Sequence, residues 1–184
     1  MICSKSDTDS AVRCANLLRK EKVLILPTDT VYGFSGVTGR TDALIRKIKG
    51  RAETKPFIQL ISSPEDISFI TDDIIPEKLL KLWPGPLTII VSDKKNPGST
   101  VAVRCPGDEW LRSVIRLAGS PLYSTSVNRR GSPVLQKIAA IRAEFEREVD
   151  LIVDAGDAQN SVPSTIVRLD GETVTVVRQG AVKL

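Results

Sequence analysis

Hydrophobic positions along this chain follow two periods in turn. Ala11, Val12, Ala15 and Leu18 recur at helical spacing behind a start rich in Ser, Asp and Thr, which predicts a first helix over Asp9 to Leu18. The apolar run "VLILP", Val23 to Pro27, predicts a buried strand, and "TVYGFSGV" continues as a second extended piece. In "TDALIRKIKG", Leu44, Ile45 and Ile48 share one face behind a Thr or Asp cap, and Gly50 closes a helix whose basic residues gather at its end. Downstream, "PFIQLI", "PLTIIVS", "TVAVRC", "PLYSTS", "LIVDAG", "STIVRL" and "TVTVVRQ" read as strands, the last two joined by an Asp170-Gly171 turn. Between them, "SPEDISFI" and "PEKLLKLW" read as short helices, "DEWLRSVIRLAG" as an amphipathic helix, and "VLQKIAAIRAEFEREVD" as a longer one. Strands alternating with helices predict an α/β domain with a mostly covered sheet.

Composition narrows the class more than the function. With 184 residues, 41% of them hydrophobic, the chain suits one compact domain with a real core. Lys and Arg number 26 against 22 Asp and Glu, a formal +4 that mildly favours anionic partners and assigns none. Cys3, Cys14 and Cys105 form no C-x-x-C pair and histidine is absent, which excludes a zinc site of the usual thiolate and imidazole kind. No protein metal site is expected, and the thiols read as free ones in a reducing cytosol. The N-terminus lacks the apolar core of a secretory signal, and no apolar run approaches the ~20 residues of a membrane span, so a cytoplasmic protein without a membrane partner is expected.

Nucleotide fingerprints of the common kinds fail. "GFSGVTG" lacks the G-x-G-x-x-G spacing and no G-x-x-x-x-G-K-[ST] occurs. Without histidine the usual base for a Ser or Cys nucleophile is missing, so serine clusters here bind rather than attack. Four stretches resist explanation by packing alone. "PTDTVYG", Pro27 to Gly33, offers two hydroxyls, a carboxylate and a tyrosine before a glycine, and reads equally as a strand-to-strand turn. "KGRAETKP", Lys49 to Pro56, is either an anion site or a solvated helix end with cations at the negative pole of the dipole. "STSVN", Ser124 to Asn128, suits a polyol or phosphate, or a turn. In "TVAVR" and "PSTIVRL", an arginine or hydroxyl at a strand end faces either a cleft or water.

The order of these motifs carries more than any one of them. "PTDTVYG", "K-G-R-x-x-x-K-P", "WPGPLT", "VAVR", "STSVN" with "G-S-P", "PSTIV" and "VRQGA" together resemble the YrdC/Sua5 family from about Val23 to the C-terminus. The resemblance implies a single YrdC-like domain over 1–184, of the short form: α/β, a twisted mixed sheet with helices packed on it and an open concave basic face. It also implies threonylcarbamoyl-AMP synthesis, in which bicarbonate and L-threonine give a carbamate whose oxygen attacks the α-phosphate of ATP and expels pyrophosphate. The product would pass to a threonylcarbamoyl transferase complex for N6-threonylcarbamoyladenosine modification of tRNA. Such chemistry needs positioned cations rather than a protein nucleophile, with Mg²⁺ held mainly through the ATP phosphates.

By matching motifs, the resemblance assigns Arg51 and Lys55 to the ATP phosphates, with Lys49 beside them as a third catalytic cation. Thr100, Ser126, Asn128 and Arg178 match nucleotide positions. Thr28, Tyr32, Arg104, Ser124 and Ser164 match positions for L-threonine, with Arg104 meeting its carboxylate and Tyr32 and Asn128 lining the pocket. Three departures stand out: Leu60 replaces a residue that is often polar, "RRGSP" adds two cations beside the hydroxyls, and "VRCPGDEW" lacks a histidine-proline. The main alternative is an RNA-binding protein using the same basic face, although aromatic platforms for unpaired bases are scarce. Carbamoyl transfer of the hydrogenase-maturation kind is a third reading; it normally comes with zinc motifs and an acylphosphatase module that this chain lacks.

Overall fold

In the computed structural model, which describes residues 1–50, 56–158 and 161–184, the chain begins with β1 (Ile2–Ser4), α1 (Ser10–Arg19), β2 (Leu24–Leu26), β3 (Gly33–Val37) and α2 (Asp42–Lys49). It continues through β4 (Ile58–Leu60), a 3₁₀ turn (Pro64–Phe69), α3 (Glu77–Leu80), β5 (Leu87–Ser92), β6 (Thr100–Arg104) and α4 (Glu109–Ala118). β7 (Leu122–Ser126), α5 (Ile138–Phe145), β8 (Leu151–Asp154), β9 (Thr165–Asp170) and β10 (Thr173–Arg178) complete it. Among the described residues all ten strands join one mixed sheet, in the order β1-β8-β2-β3-β7-β4-β6-β5-β9-β10. The α/β expectation with a mixed sheet and packed helices is met.

Residues paired directly across strands point to the same face. Leu24, Leu26, Val37, Leu122 and Leu60 thus lie on one face, where α1 and α4 cover them with Cys14, Ala15, Leu18, Leu111, Val114 and Ile115. Each fully buried Leu or Ile contributes about 1.5–3 kcal/mol there. α4 starts cleanly because the Asp108 carboxylate accepts from Leu111 N at 3.0 Å, and it stops at Gly119, whose φ of 73° is left-handed. The opposite face is closed twice. Ile45, Ile141 and Phe145 of α2 and α5 cover Ile25 and Phe34, while Leu79, Trp83 and Ile75 cover Ile89, Val91, Val101, Val103 and Val167.

Among the described residues, one half of the first face is left without a helix. Along β6, Val101 and Val103 are buried against α3, whereas Thr100 is exposed and Ala102 half-buried. Ile90 and Ser92 of β5 and Ile166 and Arg168 of β9 repeat that alternation. The open strip of sheet sets the position of the site.

One expectation changes, and one strand is added. The long helix over "VLQKIAAIRAEFEREVD" shrinks to Ile138–Phe145, because Leu135 N donates to Val127 O, Ala158 N to Gln136 O, and the Asp157 carboxylate accepts from Ile138 N at the helix start. Residues 134–137 therefore serve a loop pairing rather than a helical ladder. Ile2–Ser4, for which the sequence pattern predicts no element, forms a parallel strand against β8.

Candidate functional site on the open face

The open strip collects hydroxyls by register. Ser35 pairs with Ser124, Ser124 with Ile58 and Ile58 with Ala102, and Gly33 pairs with Ser126 one step along. The Ser124 hydroxyl has no hydrogen-bond partner among the described residues, and it leans over Gly33, where a Cβ would stand 2.7 Å from it. Ser126 donates to Asn128 Oδ1 at 2.8 Å, a bond that leaves its acceptor lone pairs unused. Leu60 pairs with Arg104, which puts that arginine on the same face. Thr100 lies at the exposed start of β6, two positions from Ala102 and so also on this face.

Arg104 is 4% exposed and heavily used. Its Nε donates to Gly85 O at 3.1 Å, Nη1 to Thr30 Oγ1 at 2.9 Å and Nη2 to Asp29 Oδ1 at 2.5 Å. Burial pushes its pKa down, and the Asp29 carboxylate partly restores it. Two of five N–H groups remain for a ligand. The loop that brings Asp29 and Thr30 across is braced by Thr28, whose hydroxyl donates to Val31 O at 2.8 Å and accepts from Thr30 N at 3.0 Å.

Arg178 reaches the same strip through an irregularity. Val176 pairs with Val167 and Arg178 with Ile166, so Val177 is an extra residue. This bulge turns Arg178, not Val177, onto the open face. There its Nε and Nη2 donate to Ser164 O at 3.2 and 2.7 Å, and the buried Ser164 hydroxyl meets Thr88 Oγ1 at 2.9 Å. Burial first, and the like charge of Arg104 second, lower the Arg178 pKa.

Three expected ligand residues have their polar groups engaged by the chain itself. Tyr32 is 2% exposed on the opposite face, packed with Ile25 and Phe34, and its hydroxyl donates to Gly156 O at 2.7 Å while accepting from Ala155 N at 2.9 Å. Its ring lies on that face because strand alternation turns it away from Gly33. Asn128 has its amide filled: Oδ1 accepts from Lys49 and Ser126, and Nδ2 donates to Arg129 O and Ser132 O. Lys49 stands on no exposed wall; it is 4% exposed, and its ammonium donates to Ser126 O, to Asn128 O at 3.0 Å and to Asn128 Oδ1 at 2.9 Å. Arg51 and Lys55 lie outside the described residues.

Sequence reading missed Asp29, Thr30, Gly85 and Thr88, all inside motifs it had singled out; the signal was present, but only the fold joins them to Arg104 and Ser164. A separate groove of about 970 Å³, between Gln59, Tyr123, Phe69 and Lys95, contains none of the site residues.

The sequence and the fold both match known proteins over most of the chain. Residues 16–180 match the family model of the Sua5, YciO and YrdC proteins, described as "Telomere recombination". Over 183 residues the chain is 28% identical to the threonylcarbamoyl-AMP synthase of Pyrococcus abyssi, covering 92% of this chain and 54% of that protein. Over 184 residues it is 30% identical to the threonylcarbamoyl-AMP synthase of Bacillus subtilis, covering 92% and 53%. The chain thus spans about half the length of these curated relatives. The crystal structure of P. abyssi Sua5 complexed with L-threonine superposes with a TM-score of 0.88 at 27% identity, over 98% of this chain and 57% of that one.

Proposed function

Since the chain belongs to the Sua5/YciO/YrdC family, we propose that it is an L-threonylcarbamoyladenylate synthase, which condenses L-threonine, bicarbonate and ATP to threonylcarbamoyl-AMP and pyrophosphate. One observation carries the proposal: the uncovered half of the sheet gathers Ser124, Ser126, Ser164, Thr88 and two guanidiniums on one face. Such a surface offers donors for carboxylate, phosphate and hydroxyl groups and no protein nucleophile. Burial supports the same point, because it pushes the Cys105 thiol up to about 12 and keeps it protonated at neutral pH.

In this reading Arg104 and Ser164 take the amino-acid carboxylate, and the free Ser124 hydroxyl takes a second polar group of L-threonine. Ser126, Thr100 and Arg178 border the nucleotide, with Arg51 and Lys55 on its phosphates. The carbamate oxygen, supplied by substrate, attacks the α-phosphate in line with the leaving pyrophosphate, and the chain's role is to hold both and stabilise charge. We assign Mg²⁺ to the phosphate oxygens of the entering nucleotide, where it would neutralise developing charge. The product would go to a threonylcarbamoyl transferase that modifies tRNA.

The test is pyrophosphate release from ATP, measured with and without L-threonine and bicarbonate. Release should require both, and Arg51→Ala should lower it at least ~10²-fold, as removal of one preorganised charge contact does. Release indifferent to L-threonine overturns the proposal. If Arg51→Ala leaves the rate within about twofold while RNA affinity falls steeply with salt, the basic segment serves RNA binding instead.

A further inference from the structure

Ser35 carries a hydroxyl that the fold leaves without use. The residue is 0% exposed, and its Oγ has no hydrogen-bond partner among the described residues. Burying an unpaired hydroxyl costs stability, so packing alone gives no reason for a serine there. Register narrows the reason. Ser35 pairs with Leu24 of β2 and with Ser124 of β7, and its same-face neighbours along β3 are Gly33 and Val37. Of these four, Ser124 alone has a polar side chain. Residues directly opposed on antiparallel strands have Cβ atoms about 4.5–5.5 Å apart, so two serines there come within bonding reach by rotation about χ1. In this structure they stay apart: the Ser124 hydroxyl stands over Gly33, and it too is unpaired among the described residues.

Ser35 is sealed and Ser124 half-buried, so a ligand on the open face reaches Ser124 first. The row of paired residues from Leu24 through Ser35, Ser124, Ile58 and Ala102 to Ile90 carries no charge. A carboxylate or phosphate finds no counter-charge in that row, whereas a neutral hydroxyl, donor and acceptor at once, matches what a serine offers. Building on the synthase reading, we propose that Ser35 is a positioning residue for substrate specificity: its hydroxyl donates to Ser124, and Ser124 donates to the side-chain hydroxyl of L-threonine. Ser35 closes the gap by turning about its own χ1 while Ser124 keeps its place over Gly33. The carboxylate of the same molecule stays with Arg104 and Ser164. An amino acid with a methyl in place of the hydroxyl leaves both serines covered and unpaired, and is rejected for that reason.

Calorimetric titration with L-threonine and with L-valine, which carries that methyl, tests the assignment. The wild type should favour L-threonine by at least about tenfold. In Ser35→Ala the ratio of the two affinities should fall about threefold or more, as expected for one neutral hydrogen bond, with the loss on the L-threonine side. A smaller fall overturns the assignment. Ser35→Ala removes a hydroxyl that bonds nothing in the free protein, so its urea midpoint should match or exceed that of the wild type. A lowered midpoint with the ratio unchanged makes Ser35 a residue of the fold and overturns the assignment as well. Ser124→Ala should lower the ratio by itself, and adding Ser35→Ala should lower it no further, because Ser35 acts through Ser124; independent, additive losses overturn the relay. If the wild type binds L-valine as tightly as L-threonine, the assignment falls and the synthase reading stands. If it binds neither, the synthase reading falls and the assignment with it.

Discussion

Gly180 packs onto Ser164 with no room to spare: a Cβ at Gly180 would stand 2.6 Å from the Ser164 carbonyl oxygen and 2.3 Å from that of Pro163. Both obstacles are backbone, so an added methyl cannot be absorbed by a rotamer change. Thr165 locks the same segment, its hydroxyl accepting from Gly180 N and Val182 N at 3.0 Å and donating to Val182 O at 2.6 Å. Gly180→Ala should therefore shift Ser164 and, with it, Arg178. The expected outcome is a loss of about 1–3 kcal/mol of stability in urea unfolding and a KM for L-threonine raised about tenfold or more, as overpacking next to a bound group does.

Gly33 and Ser124 give a gentler case. The atom that a Cβ would meet at 2.7 Å is the Ser124 hydroxyl, which can rotate away. Gly33→Ala should cost less than about 1.5 kcal/mol of stability yet raise the KM for L-threonine several-fold, by turning that hydroxyl out of the cleft. Adding Ser124→Ala should recover the stability and not the KM. A double-mutant cycle read by both measurements checks the coupling.

Lys49 is tied into the fold by its ammonium. Its buried ammonium satisfies Ser126 O, Asn128 O and Asn128 Oδ1 and lies 5.3 Å from the centre of the Phe34 ring. Lys49→Met would strand those acceptors, and a loss of about 3 kcal/mol or more is expected, measured by urea unfolding. At a temperature where the variant remains folded, its kcat should fall far less than that of Arg51→Ala.

Two thiols predict an alkaline limit. Burial raises Cys14 and Cys105 from 9.0 to about 12, so the folded protein keeps protons that an unfolded chain releases. Their contribution is complete below pH 9 and is lost as pH rises from there toward 12, at about 1.4 kcal/mol per pH unit for each thiol. Urea midpoints between pH 8 and pH 11 should fall less steeply in Cys14→Ala than in the wild type, whatever the variant's stability at neutral pH; parallel curves would overturn the prediction.

Local readings succeeded where one face decides an element. "VLILP" and "TVAVRC" are strands because their apolar runs are buried, and "DEWLRSVIRLAG" is a helix with an aspartate cap and a glycine stop. They failed where a distant partner competes. The stretch 134–137 left α5 for pairings with Val127 and Ala158.

Periodicity, caps and motif order are properties of contiguous residues, and they carry the α/β class, most of the strand and helix order, the family resemblance and the short list of motifs. Only the tertiary structure decided which members of those motifs face a common cleft. A side chain's face depends on strand register, which the bulge at Val177 reverses for Arg178, and its availability depends on partners as remote as Asp29 is from Arg104. Those two arginines and the hydroxyls between them come to share one face because β6, β5, β9 and β10 lie side by side.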